Sequence, residues 1–256
     1  MKSKKIYIVL ILILFIFFLI MFCLFGIDNI KKSNIRTTIV VGDDTIWNLQ
    51  KNKWTSSSRK DLLNWKKFTV FTNNNKLGDY YLWFDDKWYL FDEKKNPVNL
   101  DGSLLAYRSN VDLNVLDFSL EEIEDFDYVY KVLEDVGLDL TNDFTVSRHI
   151  SIDFDNDSIL EDFYVISNVF AKDFDPSILF SIVFMVKDNE IYYIYKDIST
   201  NHGFNGCKPF FTSFLDTDLD GTSEFILSCA RYSVQGQINM LYKYENNKFK
   251  IKISNQ

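Results

Sequence analysis

FFTSFLDTDLDGTSEFIL, residues 210–227, sets an acidic loop between two apolar runs. The runs, 210–215 and 225–227, are aromatic and branched and read as strands, so the implied unit is strand, acidic loop, strand. An earlier stretch, HISIDFDNDSILEDFYVI at 149–166, has the same order. Both loops follow D-x-D-x-D-[G/S]-x-x-E: Asp153, Asp155, Asp157, Ser158 and Glu161 in one, Asp216, Asp218, Asp220, Gly221 and Glu224 in the other.

Working outward, the β-pattern continues. Residues 178–186 and 191–195 flank Lys187-Asp188-Asn189-Glu190, and 239–244 and 248–253 flank Glu245-Asn246-Asn247, each pair reading as a hairpin. Upstream, the short segments 38–41, 68–72, 80–84 and 88–91 are punctuated by Gly42-Asp43-Asp44, Asn73-Asn74-Asn75, Asp85-Asp86 and Asn96-Pro97, as in a small antiparallel sheet. Phe at 24, Tyr at 14 and Trp at 5, against 9 Gly and 3 Pro, favour β-structure. The exception is 119–137. Ser119 and Glu122 form a capping-box pattern, Ile123, Phe126, Val129, Tyr130, Leu133 and Val136 follow at helical spacing, and Gly137 ends it. This predicts one amphipathic helix of about 17 residues.

The chain begins with Lys2, Lys4 and Lys5 and then an apolar run over 6–27. At 1.5 Å per residue such a run reaches about 30 Å, the thickness of a bilayer core. The basic start favours an N-in, C-out transmembrane anchor, although Lys31, Lys32 and Arg36 lie on the far side. A cleaved signal peptide and a lipoprotein signal at Cys23 are the alternatives; bulky residues and the absence of an A-x-A-like site speak against both. The expected architecture is mainly β with an N-terminal transmembrane helix. It divides into a cytoplasmic stub, anchor and linker (1–36), an aromatic-rich β-hairpin domain (37–115), a connecting helix (116–140) and a β-region with the two acidic loops (141–256).

Three carboxylates at alternate positions of a tight loop converge, and bare charges about 5 Å apart repel by roughly 3 kcal/mol per pair at an effective dielectric near 20. A cation relieves this, and hard oxygen donors in this number suit calcium better than magnesium. An EF-hand would need a carboxylate at loop position 12, where the chain has Tyr164 and Leu227, and a helix after the loop. With acid at position 9 and β-type sequence following, the motif instead resembles the calcium hairpins of FG-GAP or VCBS repeats, found in integrin-like β-propellers. The resemblance covers about residues 146–254. It implies Asp153, Asp155, Asp157, Glu161, Asp216, Asp218, Asp220 and Glu224 as Ca2+ ligands. Two motifs are too few for a closed propeller, so it implies a partial, propeller-like arrangement of hairpin repeats. Ser158 stands where the pattern has its turn glycine, which strains the first loop.

Other chemistries find less support. The net charge of −8 and the lack of a basic stripe argue against nucleic acid as a partner. Asp218-Leu-Asp220-Gly221-Thr222 matches the opening motif of haloacid-dehalogenase-type phosphatases, but too little chain follows for their downstream Lys and Asp motifs. His149 and His202 have neither metal-ligand nor catalytic-base spacing. If the 216–224 loop turns symmetrically about Asp220, Cys229 faces Phe211 and Cys207 lies roughly 13 Å away, beyond the ~7 Å limit for a bridge, so free, packed cysteines are expected. Trp47, Trp54, Trp65, Tyr80, Tyr81, Trp83, Trp88 and Tyr89 could form a stacking platform for glycan, or a core. The expected function is a non-catalytic, calcium-stabilised binding or scaffolding module on the outer side of the cell membrane, with a surface protein or glycan as partner. A glycan-binding module and a membrane-tethered hydrolase with an unrecognised site are the alternatives.

Overall fold

The computed structural model describes residues 15, 17, 34–72, 75–100, 104–138, 146–169, 178–199, 207–231 and 237–255. Apart from Phe15 and Phe17, the 6–27 run lies outside them, as does His202. Among the described residues no helix is long and apolar enough to cross a membrane.

The chain is mainly antiparallel β, in three sheets. The first holds β1 (Arg36–Val41), β2 (Thr45–Gln50), β3 (Lys53–Ser56), β4 (Lys66–Thr72), β5 (Asn75–Phe84), β6 (Trp88–Phe91), β7 (Pro97–Val98) and β8 (Leu104–Ser109). They lie in the order β3-β2-β1-β8-β4-β5-β6-β7, so β8 returns to sit between β1 and β4. Two short strands follow, β9 (Asn114–Leu116) and β10 (Glu121–Glu122), then the helix α1 (Asp127–Asp135). The second sheet is a meander of β11 (Val146–Ile152), β12 (Glu161–Ser167), β13 (Leu179–Lys187) and β14 (Glu190–Ser199), with β10 added beside β11. The third is a meander of β15 (Cys207–Asp216), β16 (Glu224–Arg231), β17 (Gln237–Tyr244) and β18 (Phe249–Ser254), with β9 added beside β15. The two five-stranded sheets are thus built alike, and each acidic loop joins the first two strands of its meander.

Side-chain alternation explains the layering. On β12, Phe163 and Val165 face the third sheet, while Tyr164 and Ile166 face α1. On β16, Phe225 and Leu227 face the second sheet, while Ile226 faces Ile39, Trp47 and Tyr107 of the eight-stranded sheet. The order of layers is therefore helix, second sheet, third sheet, first sheet. Phe163 lies between the second and third sheets, with the rings of Phe154, Phe211, Phe214 and Phe225 5.2–5.8 Å away.

Two sequence expectations are corrected. The helix has nine residues and starts at Asp127, because the capping-box acid Glu122, with Glu121 before it, pairs as a strand with Arg148 and His149 instead. The Asp125 carboxylate, not Ser119, accepts the Asp127 N–H. The C-terminal stop is as expected: Gly137 takes φ +73, and the Leu138 N–H reaches the Leu133 carbonyl in a Schellman closure. Cys207 and Cys229 are not free but form a disulfide, with Cα atoms 5.2 Å apart. The loop pairs Leu215 with Glu224, where a symmetric turn needs Asp216, and a bulge at Thr212 moves the register one residue more. Cys229 consequently faces Pro209, which makes Cys207 its diagonal neighbour.

Candidate cation sites

Both loops close by the same set of bonds. The Asp153 carboxylate accepts the Asp157 and Ser158 N–H groups at 3.1 and 3.0 Å, and Asp157 accepts Ile159 N–H at 2.8 Å. The Asp216 carboxylate accepts the Asp220 and Gly221 N–H groups at 3.2 and 3.0 Å, and Asp220 accepts Thr222 N–H at 2.9 Å. Closing the turn needs left-handed backbone at Asn156 and Ser158 (φ +58 and +71) and at Leu219 and Gly221 (φ +57 and +91). The final glutamate opens the return strand and points inward. Glu161 accepts Phe154 N–H at 3.4 Å, and Glu224 accepts Thr217 N–H at 2.8 Å. The loops are neighbours at one end of the stacked sheets, where Ser223 N–H donates to the Phe154 carbonyl at 2.7 Å.

This folding brings one oxygen each of Asp153, Asp155 and Glu161, and one each of Asp216, Asp218 and Glu224, within 4.8 Å of one another. Asp157 and Asp220 stand at the rims of these clusters.

Sequence reasoning missed the residue at each focus. Lys187, at the end of β13, places Nζ 2.6 Å from Asp155, 3.1 Å from Asp157 and 2.6 Å from Glu161. Lys243, on β17, places Nζ 2.7 Å from Asp218, 2.7 Å from Asp220 and 2.8 Å from Glu224. Neither lysine lies near its loop in sequence. The available signal was pairing: Asp162 faces Val186 and Phe225 faces Tyr242, so each lysine is the next residue along, beside its glutamate.

One ammonium does not balance four carboxylates. Burial pushes the Glu224 carboxyl up to about 7, against the pull of Lys243 beside it. Burial also raises Glu161 and Asp216. Asp157, at the rim, is held low by the Ile159 N–H and by Lys187. For both lysines burial works downward, and the surrounding carboxylates outweigh it and hold them above the ordinary range. Asp155 Oδ1 and Asp218 Oδ1, at matching loop positions, are buried with no hydrogen-bond partner. A hard-oxygen donor set with an orphaned acceptor and excess negative charge fits a divalent cation.

Two other constellations stand apart from the acidic clusters. Ser151, His149 and Asp162 lie together on β11 and β12, but serine and aspartate both approach His149 Nε2, at 3.4 and 2.9 Å. A catalytic base needs them on opposite ring nitrogens. On the first sheet, Trp47 and Trp88 are core residues, whereas Trp65 is 42% exposed. Its ring lies 5.4 Å from Trp83 and 5.0 Å from Phe91, with Lys95 Nζ 5.3 Å from its centroid. Trp65 also sits at φ +58, an uncommon conformation for so bulky a residue.

Compared with protein-family models, curated proteins and solved structures, the chain matches none.

Proposed function

We propose that this chain is a non-catalytic binding or scaffolding module, tethered through residues 6–27 and displayed outside the cytoplasm, whose two acidic loops take calcium as a structural ion. On this reading the loops and meanders are divergent relatives of FG-GAP or VCBS calcium hairpins. The observation that carries it is the orphaned, buried Oδ1 of Asp155 and of Asp218, each within a cluster that one lysine leaves under-neutralised. An oxygen buried without a partner costs about 1–3 kcal/mol, and a coordinated ion removes that cost. The test is thermal unfolding of the full chain in mild detergent, in chelator and in millimolar calcium. Calcium is expected to raise the Tm, and Asp218→Ala to remove more of the rise than Asp155→Ala, because the second loop keeps its glycine. Identical melting curves in the two conditions would sink the metal reading.

A second reading, glycan binding on the first sheet, is favoured by the exposed, strained Trp65 packed on Trp83 and Phe91. Half-buried Tyr81 and Tyr89 share that face with Trp83 and Phe91 through cross-strand pairing. Apolar faces of sugar rings stack on such surfaces, and strained backbone of this kind clusters at binding sites. Trp65→Ala should abolish any quenching of Trp fluorescence by soluble oligosaccharide while leaving the calcium response unchanged.

A further inference from the structure

We infer that Lys187 and Lys243 are the resident counter-ions of the two loops: each holds the position of a divalent ion when none is bound, and metal enters by displacing it. This rests on the metal reading of the loops for its second half alone.

An ammonium has three N–H donors, and each lysine meets three carboxylates, Asp155, Asp157 and Glu161 in one case and Asp218, Asp220 and Glu224 in the other. Loop positions 3, 5 and 9 supply the three in both. The same contact set arises although glutamate and lysine are 26 residues apart in one meander, Glu161 to Lys187, and 19 in the other, Glu224 to Lys243. Both lysine side chains are largely withdrawn from water, 16% and 8% exposed, which a cation tolerates only when paired. The lysines are therefore built into the loops and are not surface charges folded over them.

Ammonium and metal cannot share the focus. Nζ lies 2.6–3.1 Å from its carboxylates; two of them, at loop positions 3 and 9, also belong to the trio that could hold a metal, and calcium needs those oxygens at about 2.3–2.6 Å. The metal must expel the lysine head from the cluster, and Lys187, the more exposed of the two, has the shorter way out. Such loops stay closed in the absence of metal, and calcium binds more weakly than the same carboxylates would hold it without the competitor.

The test compares full-length wild type, K187M, K243M and the paired variants D155N/K187M and D218N/K243M in detergent, by thermal unfolding in chelator and by calcium titration. In chelator each single variant should melt several degrees below wild type, and each paired variant should recover part of that loss, because removing a carboxylate relieves the charge the lysine balanced. Calcium should bind each single variant at least about tenfold more tightly than wild type. Single variants that fail to fold, with paired variants that do, give the same support. Wild-type melting of K187M and K243M in chelator overturns the inference, as does failure of the paired variants to recover, which would make the lysines packing residues. A calcium affinity unchanged by the substitutions overturns the displacement half. Calcium silence in every form defeats the metal reading, while the chelator comparison still decides the role of the lysines.

Discussion

At the scale of single residues, the two loops are a natural comparison, because they share their hydrogen bonds and differ at the turn position. Ser158 and Gly221 both sit left-handed, at φ +71 and +91, and no heavy atom lies within 4 Å of a Cβ built on Gly221. The difference between them is thus backbone strain, with no clash to confuse it. Ser158→Gly should stabilise the protein by about 0.5–1 kcal/mol and Gly221→Ala should destabilise it by about 1 kcal/mol, read as opposite shifts of the urea midpoint at constant slope. A destabilised Ser158→Gly would mean that the hydroxyl does something the backbone argument omits. The eight carboxylates and the strained serine were legible because loop chemistry is local: spacing of one or two residues decides which side chains converge. Lys187 and Lys243 were not, because they reach the loops through strand pairing, which the sequence of the loop does not encode.

Among elements, hairpins read well and register did not. The hairpin of β13 and β14 turns at Asp188 and Asn189, whose φ values of +52 and +63 suit a two-residue turn, and alternation on the flanking strands specifies the rest. The helix start misled because a capping box is a promise of local bonds that tertiary pairing can outbid, as β10 does beside β11. The cysteines misled through a single bulged residue, Thr212, and an off-centre turn. The disulfide they form joins adjacent strands across a sequence separation of 22 residues. For a loop of that length the chain-entropy argument gives about 3 kcal/mol, which at this size is roughly 6–12 °C of Tm. Thiol reductant should lower the melting temperature by that amount, and alkylation before and after reduction should differ in mass by two blocked cysteines among Cys207 and Cys229. Full alkylation without reductant would rule the bridge out.

For the whole molecule, the question is whether three sheets unfold as one. The interfaces say that they do. The third sheet is buried on both faces, against Phe163 and its neighbours on one side and Ile39, Trp47 and Tyr107 on the other. Polar bonds lock the second of these contacts, with Asn239 and Asn255 both donating to Thr45 Oγ1 at 2.8 and 2.7 Å. All five tryptophans fall between 47 and 88, in the first sheet or the turn before β4, so their fluorescence reports on that layer and, through Trp47 and Trp54, on its contact with the third sheet. Phe163, fully buried, touches only the other two layers' shared core. Phe163→Ala opens a cavity there and should cost about 3–5 kcal/mol. If the layers are one cooperative unit, the Trp fluorescence midpoint in denaturant must fall together with the far-ultraviolet circular dichroism midpoint, although no tryptophan lies in the damaged core. A fluorescence transition that stays at its wild-type position while the dichroism midpoint drops would show that the aromatic first sheet folds by itself, and the acidic-loop meanders would then be a separate unit carried beside it.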